Sequence, residues 1–396
     1  MPSTTPRAAI VAAARTAIGT ARKGTLANMP AAELAKPVVS AVIERSGRAA
    51  EDFDDLILGE VMQGGGDIAR YISADLGLTD LPGTAVNRQC ASSLSAIAMA
   101  AGQIGAGMSQ AVLAGGTESL STAPICRKRK PFTTGKDPDD YDDPWFSFSH
   151  PPAEDAPAMD MSITVAHNCA VQYVISRQEQ DEWALRSHHR AVKAIDAGSF
   201  VDEIVPIVVP QPDGSTTPFA QDEHPRRGTT IEALAALKVL HPEIDGFSVT
   251  AGNSSGLNDA AAVIALAAPG SHAEPLANVL SWASVGVPPN QTGGGPIKAI
   301  PKALELAGCK ISDVSLFEIN EAFAAQAVAC SRALGLDEEI VNVYGSGISL
   351  GHPIAATGAR MVTSAIYELR RRGGGIGVLS MCAGGGMGAA IVIEVN

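Results

Sequence analysis

The chain has 396 residues, more than one hydrophobic core usually organises, so at least two core-forming halves are predicted. Hydrophobic residues make up 46% of the chain and aromatic residues only 4%, so Ala, Val, Ile and Leu must pack closely to form the core. The net charge of -13 argues against a nucleic acid or an anionic membrane as the main partner.

The N-terminal stretch MPSTTPRAAIVAAARTAIG is interpreted as the first strand and its loop. Its apolar run is short, and Arg15 interrupts it too early for a secretory or membrane segment. The six cysteines show no CxxC spacing, which argues against a disulfide framework or a metal site. We therefore expect a reducing compartment and a cytoplasmic protein.

An internal repeat is the strongest architectural signal. The segment AVIERSGRAAEDFDDLILGE from Ala41 resembles LELAGCKISDVSLFEINE from Leu304, with Gly47 aligned to Gly308. Each copy predicts a helix, a glycine stop, a short acidic turn and a buried strand. The sequence thus favours two similar α/β halves with mixed, mostly parallel sheets covered by helices on both faces.

Between the two halves lies a stretch of different character, rich in prolines, charges and aromatics. We interpret residues 119–249 as an inserted loop domain that covers the substrate site, with a purely decorative surface excursion as the alternative. Residues 1–118 and 250–270 would form the N-terminal half, and residues 271–396 the C-terminal half.

Cys90 lies in NRQCASSLSA, at the start of a predicted buried helix of small residues. At the first turn of such a helix, the positive end of the helix dipole would lower the pKa of the thiol and favour the thiolate. The alternative is a small packing residue, because free cysteine is among the most buried residue types.

His352 and Cys382 lie in two further glycine-rich segments, GSGISLGHPIAATGAR and MCAGGGMGAA. By the repeat, the His352 loop is the counterpart of the Cys90 loop, so pseudo-symmetry would bring both to one seam. A structural cap or a surface position is the alternative for His352. The glycines after Cys382 can offer free backbone N–H groups for an oxyanion hole, or form a tight turn between the last strands. Two thiols and one imidazole suffice for acyl transfer.

Two other patterns bear on function. Asn320 and Glu321 follow the predicted strand VSLFEI, where a buried polar pair can position a water or a histidine, although a helix N-cap is the alternative for Asn320. The loop GSGISLG does not fit the dinucleotide fingerprint, because its third glycine comes one residue late. A dehydrogenase is therefore not favoured.

Six motifs together resemble those of the thiolase family, in the same order and across nearly the whole chain. They are NRQCASSLSA, RRGTTIEALAALK, VTAGNSSGLNDAAAV, EINEAFAAQ, GHPIAATGAR and CAGGGMG. The resemblance implies a five-layered α-β-α-β-α fold and an acyltransferase that forms or thiolytically cleaves carbon–carbon bonds between acyl-CoA units. It also implies coenzyme A and acyl-CoA as substrates, no bound cofactor, and a homodimer or homotetramer.

The resemblance implies a role for each matching site residue. Cys90 would carry the acyl group, His352 would take its proton, and Cys382 would shuttle a proton at the α-carbon of acetyl-CoA. Asn320 would hold a water beside His352 in one oxyanion hole. The backbone N–H groups of Cys90 and Gly384 would form the other.

For substrate binding, the resemblance places Arg226 near the nucleotide of coenzyme A and Ser255 near its pantetheine. It assigns Met161, Ala322 and Phe323 to the substrate pocket. Arg226 would also supply the local positive charge that an acidic chain needs to bind a polyphosphate.

Three positions depart from the family pattern. Ser93 and Ala355 stand where thiolases usually have glycine, and Asp160 stands where short-chain biosynthetic members commonly have histidine. The last departure favours a broader 3-ketoacyl-CoA thiolase over an enzyme restricted to acetoacetyl-CoA. A decarboxylating condensing enzyme of the same fold and a non-catalytic CoA- or lipid-binding protein remain the alternatives, and Cys382 argues against the first.

Overall fold

The computed structural model describes residues 7–145, 149–272 and 274–396, without the side chains of Pro144 and Trp145. The first six residues of the predicted N-terminal half lie outside these ranges. The strands are β1 (Ala8–Arg15), β2 (Gly19–Thr20), β3 (Asp55–Gly59), β4 (Gly83–Val86), β5 (Ala111–Ser119), β6 (Cys126–Arg129), β7 (Tyr141–Trp145), β8 (Ile207–Pro210), β9 (Thr216–Phe219), β10 (Asn258–Ala267), β11 (Ala277–Gly286), β12 (Val314–Ile319), β13 (Gly375–Ala383) and β14 (Met387–Val395).

The helices alternate with these strands. They are α1 (Ala31–Ser46), α2 (Ile68–Asp75), α3 (Ser92–Gly105), α4 (Asn168–Gln172), α5 (Arg177–Asp196), α6 (Ile231–Ala235), α7 (Gly295–Ala307), α8 (Ala324–Leu334) and α9 (Thr357–Arg371). A π-helical turn, Ser162–His167, leads into α4. Among the described residues, no helix is both long and apolar enough to span a membrane.

One mixed sheet runs through the molecule in the order β12-β13-β14-β11-β1-β10-β5-β3-β4, and β2 pairs with β10 beside it. Its parallel pairs lie towards the two ends, where β3 pairs with β4 and β5, and β12 with β13. The pairs in the middle are antiparallel. The mixed sheet was predicted, but this antiparallel middle was not. Part of it arises because the short turn between β13 and β14 permits only an antiparallel pair.

β1 joins the two halves of the sheet. Its residues from Ala9 to Arg15 pair with β10, and its first residues, from Ala8 to Ile10, pair with β11. A bulge between Ile10 and Ala12 marks the point where the register changes. All of β1 is buried, so this connection runs through the interior.

Helices cover both halves and lie between them, which gives five layers. α1 and α2 share one apolar cluster with the outer face of the first half, and α7 and α8 share another with the second half. α3 and α9 lie between the halves, where Ile97 and Val362 pack with Ile57 and Leu379 from the two halves of the sheet. The predicted α-β-α-β-α architecture is confirmed.

The internal repeat is visible in the backbone. Gly47 and Gly308 end α1 and α7 in the left-handed conformation, with φ of 67° and 72°, which glycine adopts without steric cost. Asp52 and Asp313 then accept a hydrogen bond from the backbone N–H three residues earlier, at 3.0 and 2.8 Å. Both copies therefore make the same helix stop and acidic turn before their strands.

The segment between β5 and β10, residues 120–257, is tied to β1 by a buried ion cluster. Arg15 Nε donates to Glu203 Oε1 at 2.6 Å. Its two Nη atoms donate to the carboxylate of Asp222 at 2.7 and 2.9 Å. The Arg15 side chain is 1% exposed and both carboxylates are fully buried, so each charge depends on its partner for compensation.

Candidate active site

The loops of Cys90 and His352 meet because the helices that follow them begin side by side. The backbone N–H of Ala359 donates to Ser93 Oγ at 3.0 Å. A Cβ on Gly358 would lie 2.8 Å from the backbone N of Leu94, so glycine allows α9 to approach α3 this closely. Ser93, one of the departures from the family pattern, thus joins the two helix starts.

Cys90 lies before α3, whose first residue is Ser92, and its side chain is partly exposed. Burial of the surrounding site raises the pKa of the thiol to about 11, although hydrogen bonding by the backbone N–H of Gly384 opposes this rise. The prediction of a lowered pKa is therefore wrong, because desolvation outweighs the helix dipole. Cys90 is a thiol at neutral pH and needs a base.

His352 is held at its backbone and at one ring nitrogen. Its backbone N–H donates to Asn258 Oδ1 at 2.9 Å, and Nδ1 lies 2.7 Å from Thr357 Oγ1. The Thr357 hydroxyl gives its single proton to the carbonyl of Pro353 at 2.8 Å, so we assign the proton between the imidazole and Thr357 to Nδ1. The other nitrogen, Nε2, is then unprotonated.

Nε2 of His352 is the free end of the imidazole. It is buried and has no hydrogen-bond partner among the described residues. Burial, together with the positive charge of Arg360, lowers the pKa of His352 to about 3. The ring is therefore neutral at physiological pH and can accept a proton at Nε2.

Asn320 lies against the same imidazole and does not cap a helix, since α8 begins at Ala324 after Phe323. Its amide nitrogen lies 3.5 Å from Nδ1 of His352. Its Oδ1 is buried and has no partner within the described ranges. A buried amide oxygen without a partner is available to a water or a substrate group.

Glu321, next to Asn320, fixes the loop that leads to His352. Its carboxylate accepts hydrogen bonds from Trp183 Nε1 at 2.9 Å and from Ser187 Oγ at 2.6 Å, both on α5. It also accepts the backbone N–H of Ser346 at 3.1 Å. Of the polar pair that follows β12, Asn320 thus contacts the histidine, and Glu321 supports the loop that leads to the histidine.

Two supporting residues were missed by the sequence analysis. Asn258 holds the backbone of His352 as described, and its Nδ2 donates to the carbonyl of Gly19 at 3.0 Å. Glu118 accepts the backbone N–H of Ala355 at 3.1 Å, and burial raises the pKa of its carboxyl to about 7. Both are polar residues inside fully buried strands, which is the sequence signal that could have identified them.

Cys382 lies near the end of β13 and is 2% exposed. It packs with Val165 and Ala322, and the partly buried side chains of Met161 and Phe323 complete this apolar cluster. Burial raises the pKa of its thiol well above the ordinary value, and ionisation of Cys90, Cys330 or Cys169 would raise it further. The loop that follows Cys382 reaches Cys90 itself, because the backbone N–H of Gly384 bonds that thiol.

The predicted substrate-binding residues fall into two groups. Met161, Ala322 and Phe323 surround Cys382, and the half-buried Ser255 donates its backbone N–H to the carbonyl of Ala322 at 2.9 Å. Arg226 is exposed, and its backbone N–H donates to Nδ1 of His188 on α5 at 3.3 Å. The first group forms a wall of the thiol site, whereas Arg226 lies on the surface of the inserted segment.

Metal binding and disulfide formation depend on how the His, Cys, Asp and Glu side chains are grouped. Within residues 7–145, 149–272 and 274–396, no group of three or more His, Cys, Asp or Glu is placed to hold a metal ion. All six cysteines are free. The chemistry that these residues offer is that of two thiols and a neutral imidazole.

A thiol bonded by a backbone N–H, a neutral buried imidazole and a second buried thiol are groups that are suited to acyl transfer. The family model described as "Thiolase, N-terminal domain" matches residues 8–269, and that described as "Thiolase, C-terminal domain" matches residues 273–395. The chain belongs to the thiolase family, as its motifs predicted.

Relatives of known name agree over the full length. The chain is 41% identical to an acetyl-CoA acetyltransferase of Shinella zoogloeoides, covering 97% of this chain and 98% of that one. It is also 41% identical to a 3-ketoacyl-CoA thiolase of Bacillus subtilis, covering 98% and 99%. The crystal structure of the Bacillus anthracis acetyl-CoA acetyltransferase superposes with a TM-score of 0.91 at 41% identity, covering 99% of both chains.

Proposed function

We propose that this thiolase is an acyl-CoA C-acyltransferase that works through an acyl-enzyme on Cys90. It catalyses the reversible Claisen condensation of acetyl-CoA with an acyl-CoA, or the CoA-dependent thiolysis of a 3-ketoacyl-CoA. The observation that carries the proposal is that the loop after Cys382 meets the loop of Cys90: the Gly384 N–H bonds the Cys90 thiol, and a Cβ on Gly384 would lie 3.6 Å from Gln89 Cγ. Names of relatives such as acetyl-CoA acetyltransferase and 3-ketoacyl-CoA thiolase agree with it.

In thiolysis, the first step forms the acyl-enzyme. His352 Nε2 takes the proton of Cys90, and the sulfur attacks the 3-keto carbon of the substrate. The bond between carbons 2 and 3 then breaks, leaving the acyl group on Cys90 and a carbanion at carbon 2. The unprotonated, neutral state of Nε2 supports this role, since a thiol of pKa about 11 does not ionise unaided at neutral pH.

Cys382 serves the second half of the reaction. Its thiol gives a proton to the carbanion, which releases acetyl-CoA. CoA then gives its thiol proton to the Cys382 thiolate and attacks the Cys90 thioester, which releases the shortened acyl-CoA, and the Cys90 sulfur takes its proton back from His352. Condensation runs these steps backwards, so Cys382 as a thiolate removes the α-proton of acetyl-CoA. The apolar surroundings of Cys382 support this role, because a thiol that stays protonated is the acid the carbanion needs.

Two oxyanion holes follow from the same residues. The backbone N–H groups of Cys90 and Gly384 would stabilise the oxygen of the carbonyl under attack by Cys90. His352 and a water held by Asn320 would stabilise the enolate oxygen, and the unpartnered Oδ1 of Asn320 supports such a water.

The proposal extends to substrate binding and assembly. Arg226 and Ser255 bind the nucleotide and pantetheine of coenzyme A, and Met161, Ala322 and Phe323 line the acyl pocket. Coenzyme A and acyl-CoA act as substrates without a bound cofactor. Residues 119–249 form a loop domain that covers the site, and the chain works in the cytoplasm as a homodimer or homotetramer.

The test compares three single substitutions in thiolysis and condensation assays. Cys90→Ala should abolish acyl-enzyme formation, detected by mass spectrometry after incubation with acyl-CoA. Cys382→Ala should still form the acyl-enzyme but lose condensation. Cys126→Ala, which removes an exposed thiol on β6, should match the unaltered enzyme. Near-full condensation by Cys382→Ala would refute the two-thiol mechanism, and a lack of cleavage of all 3-ketoacyl-CoA substrates would favour a non-catalytic binding protein.

A further inference from the structure

An ion cluster at the edge of the apolar site lies outside the proposed mechanism. Nε2 of His241 lies 2.8 Å from Asp160 Oδ2, and Nδ1 lies 2.8 Å from Glu243 Oε1. Asp160 is one of the positions at which this chain departs from the family pattern. The cluster links the turn before Ser162 to the loop of residues 239–249, which are far apart in the sequence.

Both linked segments contribute apolar side chains to clusters that also involve Phe323. Met161, directly after Asp160, packs against the cluster that contains Cys382, and so does Phe323. From the other segment, Ile244 and Phe247 belong to a second apolar cluster that also includes Phe323. Phe323 therefore packs against both clusters, one of which contains the Cys382 thiol.

The contact between Asp160 and His241 is geometrically specific. Asp160 Oδ1 accepts hydrogen bonds from the backbone N–H and the hydroxyl of Ser162, at 3.0 and 2.6 Å, which fixes the carboxylate at the start of the π-helical turn. The ring of His241 meets Phe247 edge to face, with centroids 5.0 Å apart. His167 stacks on the same phenyl ring at 5.0 Å. The imidazole is thus held by packing as well as by its carboxylates.

We propose that the contact between Asp160 and His241 is a clasp that sets the acyl-chain selectivity of the site, an inference that rests on the proposed function. The clasp holds the segments of Met161 and of Ile244 and Phe247 against Phe323, so the acyl pocket next to Cys382 stays narrow. Opening the clasp allows the 239–249 loop to move outwards and admits longer chains. Asp160 and His241 are positioning residues, since neither reaches the thiols.

The strength of the clasp depends on pH. The hydrogen bond to Glu243, followed by that to Asp160, raises the pKa of His241 despite some desolvation. Asp160 remains ionised, because hydrogen bonds from Ser162 and His241 outweigh its desolvation and lower its pKa. His167 is the other titratable group facing the ring, and burial lowers its pKa. The cationic imidazole of His241 binds both carboxylates. As the pH rises through the raised pKa of His241, the ring loses its charge and keeps a proton for only one carboxylate, so the clasp weakens.

The experiment measures kcat/KM in thiolysis for a four-carbon and an eight-carbon 3-ketoacyl-CoA. His241→Phe keeps the ring against Phe247 but removes both N–H groups, and Asp160→Asn keeps the oxygen that caps Ser162. We expect both variants to shift the ratio of the two kcat/KM values towards the longer chain by about fivefold or more, the scale on which apolar pockets discriminate chain length.

Two matched variants separate the clasp from a loss of charge. Glu243→Gln removes the other carboxylate bound to the same imidazole. The Glu243 side chain is 66% exposed, so this change should leave the ratio within about twofold of the unaltered enzyme. His241→Arg places a permanent cation at this position and should keep the chain-length ratio of the unaltered enzyme. In the unaltered enzyme the ratio should drift towards the longer chain as pH rises, and in His241→Arg it should stay flat.

Hydrogen exchange of residues 161–167 and 239–249 gives a readout that does not need turnover. It should be faster in His241→Phe than in Glu243→Gln. An unchanged chain-length ratio in both His241→Phe and Asp160→Asn, or an equal shift in Glu243→Gln, would overturn the proposal while leaving the thiolase reaction intact. If the unaltered enzyme cleaves neither substrate, the proposed function fails instead, and equal exchange in the two variants would overturn the clasp as well.

Discussion

The position of His352 should depend on a single buried amide, that of Asn258. This side chain accepts the backbone N–H of His352 and donates to the carbonyl of Gly19. It also packs so closely that a Cβ on Gly351, where φ is 106°, would lie 2.6 Å from its Cγ. Asn258→Ala removes the only side chain described as bonding the His352 backbone N–H and opens the space beside it.

The cost of this substitution can be worked out from the bonds lost. Two buried backbone groups, an N–H and a carbonyl, lose their partners, and each unpaired group costs about 1 to 3 kcal/mol. We therefore expect a loss of about 2 to 6 kcal/mol in the free energy of unfolding. Because the imidazole loses its backbone anchor, we also expect kcat to fall by about 100-fold, as a displacement near 1 Å can cause.

The assay combines urea unfolding with steady-state thiolysis at a temperature where the variant is folded. Ser281→Ala is the control, since its hydroxyl donates to the carbonyl of Ala303 at 2.6 Å between β11 and α7, away from the thiols. It should lose about 1 to 3 kcal/mol of stability yet keep its kcat. If Asn258→Ala is destabilised as expected but retains kcat within about twofold, the backbone anchor does not position His352.

Three further predictions concern the core and the base. Arg15→Met should lower the free energy of unfolding by about 3 to 5 kcal/mol, because it leaves two carboxylates buried without a cation. Loss of the exposed ion pair in Arg227→Met should leave the urea midpoint nearly unchanged. Since burial lowers the pKa of His352 to about 3, the acid limb of the kcat/KM profile should lie well below the ordinary 6.5; a limb at 6.5 would show that the imidazole is not desolvated. Gly358→Ala should separate α9 from α3, because a Cβ would lie 2.8 Å from the backbone N of Leu94. The change should cost about 1 to 3 kcal/mol of stability, measured by thermal unfolding. An unchanged Tm would contradict this close packing.

Local sequence patterns predicted much of the fold of this chain. The glycine stops at Gly47 and Gly308 and the acidic turns that follow are determined by neighbouring residues, so the repeat could be read directly from the sequence. The direction of the central strands could not be predicted in this way. The pairing of β1 with both β10 and β11 depends on contacts between residues far apart in the chain, which no local pattern records.

The same contrast between local sequence patterns and long-range contacts applies to the candidate active site. The thiols and the imidazole stand in distinctive glycine-rich segments, but their ionisation depends on what surrounds them after folding. The pKa of Cys90 rises rather than falls because distant segments bury it. In the same way, the bonds of Asn258 to His352 and of His241 to Asp160 join residues that are widely separated in sequence, so only the folded chain reveals them.

The buried strand β1 also constrains how this protein can be made. Ala9 pairs with Ala267, so β1 must wait for about 250 further residues, roughly 12 to 50 s of synthesis at cellular rates, before its partner is made. During that interval an apolar strand lies unpaired in the nascent chain, where it can pair with other chains. The first half of the sheet cannot close before β10 is translated, and the second half also needs β14. A chaperone that shields β1 until β10 emerges should raise the yield of folded enzyme.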